Sequence, residues 1–158
     1  MNPWLTQLVH TTNGRPFTDA ELGRIGTYVE LLPDRLTALK KLEESQKWLV
    51  RHLADYIAPK AIEWGLPKDP FSTDFVQFLA ALGYAMLCDD MALVEHSVVQ
   101  PCCDLADALE IPREEIALLF ETTWDALSPR LDPRSVSLLD WYFQSAANQL
   151  RSQVPVGV

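Results

Sequence analysis

Apolar residues recur along this chain at intervals of three and four, and prolines and capping residues divide the rhythm into helical segments. Pro3 to Thr12 makes a short first helix that Asn13-Gly14 ends. Thr18, with Glu21 three positions on, forms a capping box in which side chain and backbone satisfy one another's free groups. It opens a helix carrying Leu22, Ile25, Val29 and Leu32. Pro33 suits the first turn of another helix, where a missing N–H costs nothing, so a break is expected there. Leu36, Leu39, Leu42, Leu49, Leu53 and Ile57 then keep a helical period. Asp69-Pro70 starts a segment with Phe71, Phe75, Phe78, Leu82 and Met86 on one face. From Met91 to Leu109 the apolar positions are Val94, Val98, Leu105 and Leu109, and Pro101 is expected to kink or break that stretch. Pro112 opens a helix with Ile116, Leu119 and Phe120, and Asp132-Pro133 opens the last, with Val136, Leu139, Phe143 and Leu150. No segment of useful length alternates with period two, so the expectation is an all-α chain of seven or eight helices.

A length of 158 residues suits a single domain, here residues 1–158, and a hydrophobic share of 48% fills one core. The net charge of −9 repels phosphate backbones, which argues against a nucleic-acid partner. The longest apolar stretch, Phe75 to Cys88, lies between Asp74 and Asp89 and is too short to span a bilayer, so no integral membrane segment is expected. The first residues lack a basic segment followed by an apolar one, so no secretory signal is expected either. Three cysteines, two of them adjacent, make no disulfide framework, and a reducing cytoplasm is the expected setting. Helix neighbours point about 100° apart, so Cys102 and Cys103 do not share a metal ion readily and read as small buried thiols. No nucleophile–base pairing or phosphate-cradling loop is visible, so no enzyme is expected.

Four stretches together resemble the phycobilisome protein family, the globin-related subunits of allophycocyanin and phycocyanin. Arg15-Pro16-Phe17 through Glu21-Leu22, Ile25, Tyr28 and Arg35-Leu36 resembles the start of allophycocyanin-type subunits and of the core–membrane linker. Asp74 through Phe78-Leu79 to Tyr84, with the turn Asp89-Asp90, is similar to the bilin-bearing helix and its Gly-Asp turn. Leu93-Val94-Glu95-His96 to Ile111-Pro112 has nearly the family's length from turn to turn, and Val136, Leu139-Asp140-Trp141-Tyr142 and Ala146 to Leu150 resemble the closing helix. The likeness implies a globin-like helical bundle with a protruding N-terminal helical hairpin, residues 3–32, that pairs subunits in this family.

The family holds its bilin through Cys-x-Arg-Asp, and those positions here are Phe71, Ser72, Thr73 and Asp74. The thiol and the Arg are absent. Between Lys68 and Arg113 there is no Lys or Arg to receive a bilin's propionates. The resemblance therefore implies a degenerate pocket at Phe71, Asp74, Phe75, Tyr84, Asp89 and His96, filled by Phe71, Phe75 and Tyr84, with no cofactor. The partner-binding residues it implies are Trp4, Leu8, Phe17, Leu22, Ile25, Tyr28 and Val29 on the hairpin. The expected role is that of a non-pigmented interaction protein of cyanobacterial or plastid light harvesting, in phycobilisome assembly, turnover or photosystem attachment, placed in the cytoplasm with the thylakoid surface as the alternative. Its partner would be a phycobiliprotein subunit or another photosynthetic-complex protein. Self-pairing would bring acid toward acid, so a more basic partner is favoured, with a homodimer as the alternative. Two other readings stand beside this one: a globin-like binder or sensor of haem or a free bilin, for which His96 is the best-placed imidazole, and a lyase-like helper in bilin handling.

Overall fold

The computed structural model of the chain describes residues 3–66 and 68–153, and side chains over 4–66 and 72–153. It is an all-α bundle of the globin-like kind with an N-terminal helical pair, and no strand occurs among the described residues. The α-segments are α1 (Pro3–Thr12), α2 (Asp19–Glu63), α3 (Lys68–Cys88), α4 (Met91–Val94), α5 (Gln100–Ala108), α6 (Arg113–Leu127) and α7 (Pro133–Ser152). A π turn, Glu95–Val99, joins α4 to α5 in one rod, and a 3-10 turn, Ser128–Arg130, follows α6.

The expected break at Pro33 does not occur. Helix α2 runs unbroken for 45 residues through both Pro33 and Pro59. Each proline removes one N–H and crowds the carbonyl four residues back, on Val29 and Asp55. Both prolines and both of those residues are exposed, which leaves the freed carbonyls open to solvation. The N-terminus is closed as expected, with the Glu21 N–H donating to Thr18 Oγ1 at 3.3 Å and the Thr18 N–H to the Glu21 carboxylate at 2.7 Å. Arg15 grips the same carboxylate with two bonds of 2.9 and 2.7 Å.

Pro101 does not break its helix either. The Gln100 N–H reaches back five residues to the Glu95 carbonyl, and this wider turn accommodates the proline ring just past it. Helix α7 starts at Asp132, whose carboxylate caps the N–H groups of Arg134 and Ser135 at 3.1 and 3.0 Å and pairs with Lys41 of α2.

The core lies below residue 35. Leu42, Leu49, Leu53 and Ile57 of α2 meet Phe75, Leu79, Leu82 and Met86 of α3, with Phe120 of α6 and Phe143 of α7 completing it. Above it, between Leu5 and Asp34, Thr12 is the single buried residue. The N-terminal pair thus stands off the bundle, as the sequence suggests. Helices α2 and α3 pack tightly at Gly83, where an added Cβ would lie 2.8 Å from Leu39 Cδ1 and 2.8 Å from Leu42 Cδ2. Both leucines are buried and have little room to yield. Gly83→Val is expected to lower unfolding stability by about 2 kcal/mol, since overpacking outweighs the small gain in helix propensity. Urea denaturation measures this, and an unchanged midpoint would show that the contact can relax.

Candidate functional site

Two regions bear on function: the face of α3 where the resemblance implies a pigment, and the helical pair with its attachment to the bundle.

On α3, Phe75 is buried, its ring 4.8 Å from that of Phe120 and set edge-on to Phe78 at 6.4 Å. Ser72 is buried beside it, while Thr73 and Asp74 are exposed. Tyr84 does not join this filling. It is 53% exposed, because nine residues of helix turn through about 900° and put it on the face opposite Phe75. The side chain of Phe71 lies outside the described residues. Asp89, at the end of the helix, is exposed and pairs with the buried Arg35, as described below. His96 is exposed, with Nδ1 2.8 Å from the Ala92 carbonyl of its own helix. The other two imidazoles are no better placed for an axial ligand, since His10 is exposed and His52 stacks on Trp48 at 4.9 Å. Cys102 and Cys103 are buried, and burial pushes the Cys102 thiol far up. Among the described residues no three His, Cys, Asp or Glu side chains cluster to hold a metal.

The helical pair joins the bundle at the C-terminus of α3. The last carbonyls of a helix lack partners within it, and here three of them find partners elsewhere. Ala85 accepts from the Asp90 N–H at 3.1 Å, Leu87 from the Tyr28 hydroxyl at 3.0 Å, and Met86 from Arg35 Nη1. Arg35 Nη2 also donates to Asp89 Oδ1 at 2.9 Å, and the Tyr142 hydroxyl of α7 reaches the same oxygen at 3.3 Å. Burial works to lower the pKa of Arg35, but Asp89 and Tyr142 outweigh it and hold the guanidinium above its ordinary value. The cation also meets the negative end of the α3 dipole. Asp89 occupies the left-handed region at φ +54, where a glycine would be unstrained. The strained position keeps its carboxylate on Arg35.

Of the expected partner-binding residues, Trp4 and Tyr28 face inward. Trp4 is buried edge-on against Tyr28 at 5.6 Å with Arg24 4.4 Å above its ring, so these two side chains hold α1 to α2. Leu8 is half-buried and lines a shallow groove with Trp4, Gln7, Thr11 and Arg24. Leu22 and Val29 are 51% and 56% exposed, Phe17 is exposed, and Ile25 is half-buried. Leu36, half exposed, continues this ridge beyond Pro33. Reading a break at Pro33 hid it, although the three-and-four spacing from Leu22 runs straight to it. Trp141 of α7 is 64% exposed and belongs to the surface. The role of Arg35 carried no local signal, since its partners lie more than fifty residues away.

A family model described as phycobilisome protein matches residues 10–150. No curated protein matches the chain. The family is one of light-harvesting and structural proteins, without catalytic chemistry. No described helix is long and apolar enough to cross a membrane.

Two outcomes follow from this geometry. Asp89→Ala leaves Arg35 without its carboxylate and should cost about 1–3 kcal/mol, the lower part of the range reflecting the partial exposure of Asp89. Asp89→Gly should cost about 1 kcal/mol less, because glycine relieves the backbone. Equal losses in paired urea titrations would show that the left-handed backbone carries no strain. At the tip of the pair, the hydrogen bonds from Arg15 and then from Thr18 lower the Glu21 pKa from 4.5 to about 2. A depressed carboxylate contributes stability above its unfolded pKa and loses it as pH falls through the folded one. Unfastening of the capping box is therefore expected between pH 4.5 and about 2. A Glu21 carboxyl-carbon titration by NMR with a midpoint near 4.5 would contradict it.

Proposed function

The chain belongs to the phycobilisome protein family, and from that premise we propose that it is a non-pigmented interaction protein of cyanobacterial or plastid light harvesting. It associates through its N-terminal helical pair and acts in phycobilisome assembly, turnover or attachment to a photosystem. The observation that carries this reading is the apolar ridge of Leu22, Val29 and Leu36, which stays about half exposed on a helix standing off the bundle. A surface of this kind usually marks an interface.

The face of α3 supports the absence of pigment. The residues there do not fit a covalent bilin: Phe71 offers no thiol, Phe75 packs under Phe120, and the charged side chains described between 72 and 112 are acids. A bilin's two propionates would find no guanidinium or ammonium along that stretch. The partner is a phycobiliprotein subunit or another photosynthetic-complex protein, met in the cytoplasm or at the thylakoid surface. The haem reading loses support because His10 and His96 are exposed and His52 is engaged in a stack on Trp48.

Co-expression with bilin-synthesis enzymes and lyases should give colourless protein, and a zinc-fluorescent band on a denaturing gel would overturn that part. Leu22→Asp with Val29→Asp places two charges on the ridge and should abolish association with purified phycobiliprotein subunits, read by co-sedimentation, while the melting temperature stays near wild type. Association that survives the double substitution would remove the ridge from the interface.

A further inference from the structure

Helix α1 is held to α2 by little. Of its described side chains only Trp4 and Thr12 are buried, and a helix of 10 residues is marginal by itself in water. Trp4, Gln7, Leu8 and Thr11 share one face of α1, since residues three and four apart are helix neighbours. With Arg24 of α2 they line a groove of about 240 Å³. It runs about 10 Å along α1 at 1.5 Å per residue. Val29 lies five residues on from Arg24, a turn of about 500°, which sets the groove about 140° around α2 from the apolar ridge.

The groove combines an uncommitted cation with an apolar floor. Arg15, Arg35, Arg113, Arg134 and Arg151 each hold a carboxylate. Arg24 instead lies over the Trp4 ring, 4.4 Å from its centroid. It has no carboxylate partner among the described residues, although the chain carries 22 acids. Attraction to the ring comes from its quadrupole and engages no acceptor atom, so the N–H fork stays available for oxygen. Such a fork matches a carboxylate with two parallel bonds. Gln7 is exposed and makes no side-chain bond among the described residues, so it adds an amide donor. The Thr11 hydroxyl donates to the Leu8 carbonyl at 3.0 Å and therefore presents an acceptor to the groove. Leu8, half-buried, is the floor. At about 30 Å³ per water the groove has room for about eight waters, the size of a small aromatic acid.

We propose that this groove binds a small carboxylate with an apolar body, the carboxylate on Arg24 and Gln7 and the body against Leu8 and Trp4. Such a ligand touches both helices, so binding tightens α1 onto α2. Groove and ridge lie on different sides of α2, which makes the proposal independent of the association reading. Amide NMR of the full chain titrated with benzoate tests it. The Trp4 indole N–H, the Gln7 side-chain amide and the backbone of residues 4–12 should shift saturably, with a Kd in the millimolar range. The α1 amides should also exchange more slowly. Arg24→Gln should weaken binding about tenfold or more. Gln7→Glu leaves Arg24 over Trp4, sets a second carboxylate against the ligand's, and should weaken binding similarly at an unchanged melting temperature. Benzyl alcohol, the uncharged analogue, should leave these signals in place. Equal shifts with benzyl alcohol overturn the carboxylate, and equal shifts with inorganic phosphate overturn the claim of a shaped site. Undiminished binding in both variants overturns the roles of Arg24 and Gln7. Wild-type signals unmoved by benzoate up to tens of millimolar overturn the site altogether, and the association reading then stands as before.

Discussion

The junction of the two parts of this molecule rests on one guanidinium. Arg35 sits where α2 leaves the bundle, buried against the end of α3, and its bonds to the Met86 carbonyl and to Asp89 fix the angle at which the helix departs. A buried cation is tolerated only when its desolvation is offset by a close carboxylate and further hydrogen bonds. Asp89 supplies the carboxylate, and the negative end of the α3 dipole adds to it. Tyr28 repeats the arrangement two turns earlier through the Leu87 carbonyl. Because both contacts are made by α2 itself, the helix needs no hinge at Pro33, and the stand-off half inherits the orientation of the core half.

That continuity decides what the outer surface looks like. A hinge at Pro33 would have separated Leu32 from Leu36, and the ridge would have ended at the break. An unbroken α2 instead carries one apolar line past the proline. Tyr28 lies on the inner side of the same helix and holds α1 there through the ring of Trp4. The result is a helical pair braced on one side and open on the other, which suits docking by preformed helix faces rather than by ordering on contact.

The helices and most of the core were legible in the sequence, because capping residues and apolar spacing act locally. Thr18 with Glu21, and Asp132 with Pro133, mark helix starts that the structure reproduces. The prolines misled for a physical reason. A proline ends a helix when its freed carbonyl cannot be solvated or when packing does not hold the helix together, and at Pro33 and Pro59 the prolines and the residues four back are exposed. At Pro101 a π turn absorbs the strain. Tyr84, which the resemblance sets in the pocket with Phe75, lies nine residues further on and so turns to the other face of α3, where it is 53% exposed. The Arg35–Asp89 junction was invisible because charge pairing over fifty residues leaves no spacing to read.

The central claim, that the exposed half of α2 is the surface by which this protein associates, is tested most directly by amide hydrogen exchange. The full chain would be compared dilute, concentrated, and mixed with phycobiliprotein subunits. The account predicts slowed exchange confined to residues 19–37 in the associated samples, with α3, the π turn and α5 unchanged. Protection over α3 to α5, with residues 19–37 exchanging as they do in the dilute protein, would contradict it.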